Sequence, residues 1–393
     1  MITIKDIRTI VTAPDGVNLI VVKVFTSEPG LYGLGCATFT QRHVAVVSIL
    51  DNYLKPFLLG KDVTQIEDIW NTALVCGYWR NGPEFNNALS GIDMALWDIK
   101  GKIANMPLYQ LLGGKCRNGV PLYRHAEGSN HEKLKEKVTE LLEEGYQHIR
   151  CKMSSSNVDS IDPRSCNSVF NPKGYMRSTI DMFAYLRKEF GWEIEFIHDV
   201  HERLAPIDAV GFTKKLEQYD LYFLEDVLPP EQKDWLKQIR QNTTTPIAMG
   251  ELFNNPNEWI PLITQRFIDF IRVHVSQIGG VTPAKKVISM CEAFGIRTAL
   301  HGPLDLSPVG HAANIHLDIS CINFGIQEWQ YVSDSMYEIF PGCPEVENGC
   351  AYPNDKPGLG IEINEKLAVK YPPSTKTPAW TLTRLQDGTA IRP

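Results

Sequence analysis

The sequence predicts an α/β protein: a parallel β/α barrel preceded by an N-terminal α+β segment. Three observations carry this. Residues 1–40 read as three strands, residues 41–112 switch to helical periodicity, and from about residue 119 short apolar runs alternate with amphipathic stretches.

The opening stretches "ITIKDIRTIVT", "NLIVVKVFT" and "LYGLGCATF" are rich in β-formers. Turn chemistry at Pro14-Asp15-Gly16 and Pro29-Gly30 separates them. "HVAVVSILDNYLKPFLLG" and "NALSGIDMALWDIKGKIANMPLYQLLGG" then place apolar residues at i, i+3, i+4 and i+7, and each ends near glycine. Residues 1–118 form the expected α+β domain.

Eight strands are expected in the next segment, residues 119–334. They are "VPLYRHA" (120–126), "HIRCKM" (148–153), "EIEFIHD" (193–199), "LYFLED" (221–226), "TPIAMGE" (245–251), "FIDFIRVH" (267–274), "RTALHG" (297–302) and "FGIQEW" (324–329). Helices such as "HEKLKEKVTELLEEG" and "TPAKKVISMCEAFG" lie between them. A doubly wound open sheet is the rival architecture. Eight strands, and the lack of a Gly-rich dinucleotide loop after the first, favour the barrel. Residues 153–174 read as a long Ser/Asn/Asp/Pro-rich loop. The Pro/Gly-rich tail, 335–393, is expected to pack back onto the N-terminal segment.

At 393 residues, two domains or a barrel with an appendage are expected. The net charge is −7 and no long Lys/Arg block occurs, which argues against nucleic acid or an anionic membrane as partner. The nine cysteines are irregularly spaced with no C-x-x-C. That fits a reducing cytoplasm rather than a disulfide framework or zinc site. Neither a signal peptide's apolar region nor an 18-residue apolar run is present.

In a β/α barrel the chemistry lies where the strands end. The third, fourth and fifth strands end at Asp199, Glu225 and Glu251, at successive intervals of 26 residues. Three carboxylates on adjacent positions of one rim would repel each other. A hard divalent cation resolves this, and all-oxygen ligation favours one Mg²⁺ per chain. Neutralisation by Lys or Arg, or helix capping, is the alternative. The remaining strand ends supply His125, Arg150, Lys152, Arg272, His301, Asp305 and Glu328. Each alone could be a turn cap or a salt-bridge partner. Together they exceed what a packed barrel needs. Arg150 and Lys152 share a face, with Cys151 on the other. Lys152 could serve as a base if its pKa is lowered, or simply neutralise carboxylates.

The chain resembles the enolase superfamily, and within it the mannonate dehydratase group. The starvation-sensing proteins and the D-galactonate dehydratase family members are the nearest branch. The resemblance spans nearly the whole chain. It rests on "ALSGIDMALWDIKGKIANMPLYQLLGG", "IHDVHERLAP", "LEDVLPPE", "TTTPIAMGELFNN", "HGPLDLSPVGHAANIHLD", "NFGIQEW" and "NDKPGLGIEINEKLAVKYP". It implies an enolase-type modified (β/α)7-8 barrel, with an N-terminal capping domain completed by the C-terminal tail. It also implies Mg²⁺ on Asp199, Glu225 and Glu251, and acid-sugar contacts from His125, His201, Arg272, His301, Asp305 and Glu328. The family chemistry removes the C2 proton, expels the 3-hydroxyl and yields a 2-keto-3-deoxy acid. His201 matches the general acid, and Arg150 the arginine that assists the base. A homo-oligomer is implied as well.

Three departures from the active dehydratases stand out. Their base is a tyrosine in the loop after the second strand, and "MSSSNVDSIDPRSCNS" has none. Tyr175 follows it, where the next helix should start. Thr40 replaces a substrate-touching asparagine. Arg150-Cys151-Lys152 resembles the Lys-x-Lys base motif of other branches. Three readings follow: a dehydratase with a substituted base and little D-mannonate activity; a catalytically silent metabolite-binding or starvation-related protein; or an epimerase using Lys152. In "IHDVHER", His201 projects like Asp199 if the chain stays extended, and His198 points away as a structural residue.

Overall fold

An antiparallel meander opens the chain, as the N-terminal pattern requires. The computed structural model describes residues 1–153, 169–374 and 383–392. Its first strands, β1 (Ile4–Thr12), β2 (Leu19–Thr26) and β3 (Tyr32–Cys36), pair in the order β1-β2-β3. The helical stretch after them runs from His43 to Leu58 through a π-helical turn at Leu50–Leu54. The central helix, Pro83–Ala104, packs on β3 at glycine contacts. A Cβ at Gly33 would stand 2.0 Å from the Ala95 carbonyl oxygen, and one at Gly35 2.0 Å from that of Gly91. Any other residue there would push helix and sheet apart.

The chain divides into two compact units. The first comprises Met1–Pro121, Glu251–Trp259 and Arg272–Thr377, and the second Leu122–Gly250, Ile260–Ile271 and Pro378–Pro393.

The second unit carries the parallel sheet. Its strands are β4 (Val120–Gly128, which begins in the first unit), β5 (His148–Met153), β6 (Val169–Phe170), β7 (Glu195–Asp199), β8 (Phe223–Glu225), β9 (Ile247–Met249) and β10 (Phe270–Ile271). All but β6 join one sheet with parallel pairing, in the order β4-β5-β7-β8-β9-β10. The ladders are shorter than the apolar runs. β8 stops because Asp226 turns left-handed (φ 38), and β9 stops at Gly250 (φ 145). The backbone therefore leaves the sheet where the acidic side chains begin.

The loop expected over 153–174 needs correction at its end; residues 154–168 lie outside the described set. β6 and the helix Pro172–Phe190 already occupy the last part of the range. Asn171 caps that helix by accepting from Gly174 N–H at 3.0 Å, and Pro172 sits in its first turn. The Asn-Pro pair was the signal for a helix start.

The first unit resumes with β11 (Arg297–Thr298), β12 (Gln327–Glu328) and the hairpin of β13 (Glu345–Glu347) and β14 (Cys350–Tyr352). β14 pairs with Val120 and Pro121. The chain then returns to the N-terminal strands. Thr12 Oγ1 donates to the Ala368 carbonyl at 2.9 Å, and Lys23 pairs with Glu365 at 2.6 Å. Buried Asp98 of the central helix accepts from the N–H groups of Leu34 (3.0 Å) and Leu359 (2.8 Å). The last described residues do something else: β15 (Arg384–Leu385) pairs in parallel with β6 in the second unit. Every cysteine among the described residues is a free thiol, and no described helix is long and apolar enough to cross a membrane.

Candidate active site

The residues of "HDVHER" separate by face and by turn. β7 ends at Asp199, directly opposite Glu225 of β8. Both are buried, so two anions sit on paired positions of neighbouring strands. Arg150 of β5 donates through Nη2 to Asp199 Oδ2. Its Nη1 lies 3.3 Å from His125 Nε2. A guanidinium only donates, so that nitrogen is the acceptor.

Beyond Asp199 the chain does not stay extended, which corrects the expected projection of His201. His201 (φ 54) and Glu202 (φ 60) are consecutive left-handed residues. Hydrogen bonds hold the turn: His201 N–H to Asp199 Oδ1 (2.7 Å), Val200 N–H to the Glu225 carbonyl (3.0 Å), and Glu202 N–H to the Asp226 carbonyl (2.9 Å). Each such residue costs about 1–3 kcal/mol of strain. No glycine marks the turn, so local sequence carries no signal for it.

His198 faces the other way and is buried. Its Nδ1 lies 3.0 Å from the Cys151 carbonyl, which only accepts, so Nδ1 carries the proton. Nε2 then accepts from Tyr175 hydroxyl at 2.7 Å. Burial lowers the His198 pKa to about 4, so the ring stays neutral. Burial also pushes the Tyr175 phenol above its usual value. Tyr175 is thus engaged with a structural histidine.

Lys152 sits on the Arg150 side of β5, opposite Glu127 of β4. Burial lowers its pKa. Arg203 and Arg150 add to the effect, while Glu127 and Asp199 oppose it. A lysine so placed gives up its proton more readily than a solvated one.

Two acidic residues of the second unit went unnoticed in the sequence. Asp226 follows Glu225 and is buried, and the two offer carboxylate oxygens within 4.8 Å of one another. Glu202 is also buried. Desolvation pushes its pKa up to about 7, against the pull of His201 and Arg392. Asp226 closes the expected strand "LYFLED" and Glu202 lies in "HER", each adjacent to a candidate, Glu225 or His201.

In the first unit, Glu251, Arg272, His301 and Glu328 form one network. Arg272 is fully buried and donates through Nη2 to Glu328 Oε2 at 2.9 Å and through Nη1 to the Ala299 carbonyl at 3.1 Å. Glu251 lies 3.9 Å from the same Nη2 and 3.2 Å from His301 Nε2. Glu328 also accepts from Gly302 N–H at 2.9 Å. Asp305 stands apart from these contacts. Thr40 hydroxyl reaches its Oδ2 at 3.4 Å, and desolvation pushes its pKa up to about 6. Thr40, one of the three departures expected from the sequence, therefore touches an acidic candidate directly.

The all-oxygen set fits a divalent cation on this chain's own terms. Asp199 and Glu225 are buried carboxylates at paired strand positions, with Asp226 next in the chain. Such groups lose hydration and repel, and Arg150 answers part of that charge. Hard oxygen donors in this arrangement suit Mg²⁺ rather than a softer metal.

Comparison with known proteins agrees with the fold. Residues 2–113 match the family described as mandelate racemase / muconate lactonizing enzyme, N-terminal domain. Residues 133–367 match the family described as enolase C-terminal domain-like. A D-galactonate dehydratase family member of Musicola paradisiaca (strain Ech703) is 55% identical over 412 residues, covering 99% of each chain. The crystal structure of an enolase from Pantoea ananatis, with bound D-gluconate and Mg, is 53% identical with a TM-score of 0.97 over 100% of both chains. A putative dehydratase of Salmonella enterica serovar Typhimurium is 26% identical, with a TM-score of 0.85 over 94% of this chain and 98% of the other. The chain belongs to the enolase superfamily, with its α/β fold of N-terminal capping domain and barrel-type domain, and within that superfamily to the group of D-galactonate dehydratase family members.

Proposed function

We propose that this protein binds one Mg²⁺ and a small acid sugar, and dehydrates the sugar to a 2-keto-3-deoxy acid with little or no activity on D-mannonate. The observation that carries this is the buried Asp199–Glu225 pair at register-matched strand ends, with a lysine of lowered pKa two residues beyond the arginine that binds Asp199. The 53%-identical Pantoea ananatis enolase with bound D-gluconate and Mg supports the ligand class. Asp199, Glu225 and Glu251 are the proposed metal ligands. When bound there, Mg²⁺ supplies positive charge to the sugar carboxylate as the C2 proton leaves.

The chain's own groups do the rest. Lys152, as the neutral amine, takes the C2 proton. His201 delivers a proton to the 3-hydroxyl, which departs as water. The electron pair of the broken C2–H bond becomes the C2–C3 double bond, and the resulting enol tautomerises to the keto acid. Arg150 orients the site through Asp199 and His125. His301 is the proposed contact to a sugar hydroxyl, and the buried Arg272–Glu328 pair beside it sets its surroundings. Weak D-mannonate activity follows from the loop sequence without tyrosine and from Thr40 in place of the family's asparagine.

The test incubates the Mg²⁺-loaded protein with D-gluconate, D-galactonate and D-mannonate in ²H₂O. Keto-acid formation and deuterium at C2 are both followed. Product from at least one of the first two, with far less from D-mannonate, is expected. Neither product nor exchange with any sugar would sink the proposal. A specific observation favours a second reading, epimerisation: the lowered Lys152 pKa suits reversible proton transfer. Deuterium at C2 without keto acid would select it. Glu225→Gln should also abolish Mg²⁺ stabilisation in thermal melts, which for wild type reaches about 2.7 kcal/mol at a hundredfold excess over Kd.

A further inference from the structure

The last described residues form a small hairpin of their own. Leu385 N–H donates to Thr389 carbonyl at 2.8 Å, Gly388 N–H to Leu385 carbonyl at 2.9 Å, and Ile391 N–H to Thr383 carbonyl at 3.2 Å. Asp387 closes the turn by accepting from Thr389 N–H at 2.9 Å, and Gly388 takes the left-handed backbone (φ 88) that the turn needs. This unit docks at two places. β15 pairs with β6, and Arg392 Nε lies 3.4 Å from Glu202 Oε2.

The second contact lands on the strained turn. Glu202 is left-handed and buried, immediately after left-handed His201. Two consecutive residues in that conformation persist only where surrounding contacts over-determine them. The backbone bonds to Asp199, Glu225 and Asp226 supply part of that constraint. Among the described residues, the titratable or charged groups that act on Glu202 include His201, Arg392, Glu231 and Asp199. Two of these are anions, so a buried carboxylate among them needs a cation. Arg392 comes from a segment 190 positions further along the chain.

We infer that Arg392 is a positioning residue for His201: the C-terminal hairpin docks beside β6, and its arginine holds Glu202 so that the turn presents His201 in one geometry. The inference rests on the proposed reading of His201 as proton donor. A mobile His201 would still allow the sugar to bind but would seldom meet the leaving hydroxyl. Displacement of a reacting group by about 1 Å costs on the order of 100-fold in rate.

The experiment compares Arg392→Gln, Arg392→Lys and wild type as full-length Mg²⁺-loaded protein. It follows kcat and KM with whichever of D-gluconate or D-galactonate wild type converts. It also follows the ¹⁵N-histidine spectrum, with the His201 signal assigned through His201→Asn. Arg392→Gln should lower kcat about 10- to 100-fold with KM within about twofold, and should shift or broaden the His201 signal. Arg392→Lys should recover most of both. Wild-type kcat together with an unmoved His201 signal would overturn the inference. So would loss of kcat with that signal unmoved, because Arg392 would then act elsewhere. If wild type converts neither sugar, the dehydratase reading fails, and the His201 signal alone still decides whether Arg392 positions that residue.

Discussion

Replacing Glu328 with leucine is the sharpest test of the network in the first unit. Arg272 is fully buried, and its guanidinium cannot reach water. In wild type it has Glu328 at 2.9 Å, the Ala299 carbonyl at 3.1 Å and Glu251 at 3.9 Å. Glu328→Leu removes the nearest anion and also the acceptor of Gly302 N–H. Breaking one partner of a buried ion pair costs about 3–5 kcal/mol. An orphaned buried N–H costs about 1–3 kcal/mol. The two losses share one carboxylate and do not add. Glu251 keeps partial compensation, so the expected cost is about 3–4 kcal/mol. Glu328→Gln keeps an acceptor in place and should cost less, about 1–2 kcal/mol. The decisive variant is Arg272→Met with Glu328→Leu. With no stranded charge, it should recover most of the loss. Urea unfolding by circular dichroism and tryptophan fluorescence gives the midpoints, with the slope checked for constancy. Glu328→Leu within about 1 kcal/mol of wild type would refute the account, as would a double variant less stable than the single one.

Other consequences are as definite. Asp93 is buried and accepts from Thr282 N–H at 2.9 Å, and desolvation pushes its pKa up to about 7. The folded state holds that proton up to about pH 7 whereas the unfolded chain releases it near 3.8, so stability falls as pH rises across that window. Asp93→Asn should flatten this part of the stability profile in melts from pH 4 to 8; an unchanged slope would count against the assignment. Tyr175→Phe strands the buried acceptor Nε2 of His198 and should cost about 1–3 kcal/mol, while keto-acid formation persists. Loss of keto-acid formation in that variant, with the fold intact, would make Tyr175 the base. Lys152→Ala should slow keto-acid formation by at least about 100-fold at pH 7, and an undiminished rate would remove Lys152 from the reaction.

Much of the fold was legible because it rests on local periodicity. The three N-terminal strands and the eight later ones stand where β-rich runs and turn residues placed them. The shortness of the later ladders was not legible, because Asp226 and Gly250 leave the sheet within runs that read as continuous strand. The Asn171-Pro172 helix start and the Asp387-Gly388 turn were local signals present in the sequence and passed over.

The sequence by itself determined which groups are available: carboxylates at Asp199, Glu225 and Glu251 at equal spacing, and the Arg150-Cys151-Lys152 alternation. Those follow from strand geometry, which alternates side chains and repeats with each βα unit. Only the tertiary structure decided what each group meets. It bends the chain after Asp199, so that His201 leaves the strand direction. It commits Tyr175 to His198, buries Arg272 against Glu328, and brings Arg392 to Glu202. The physical reason is range. Periodicity and capping act over a few residues, whereas burial and ion pairing are set by segments that meet only once the chain has folded.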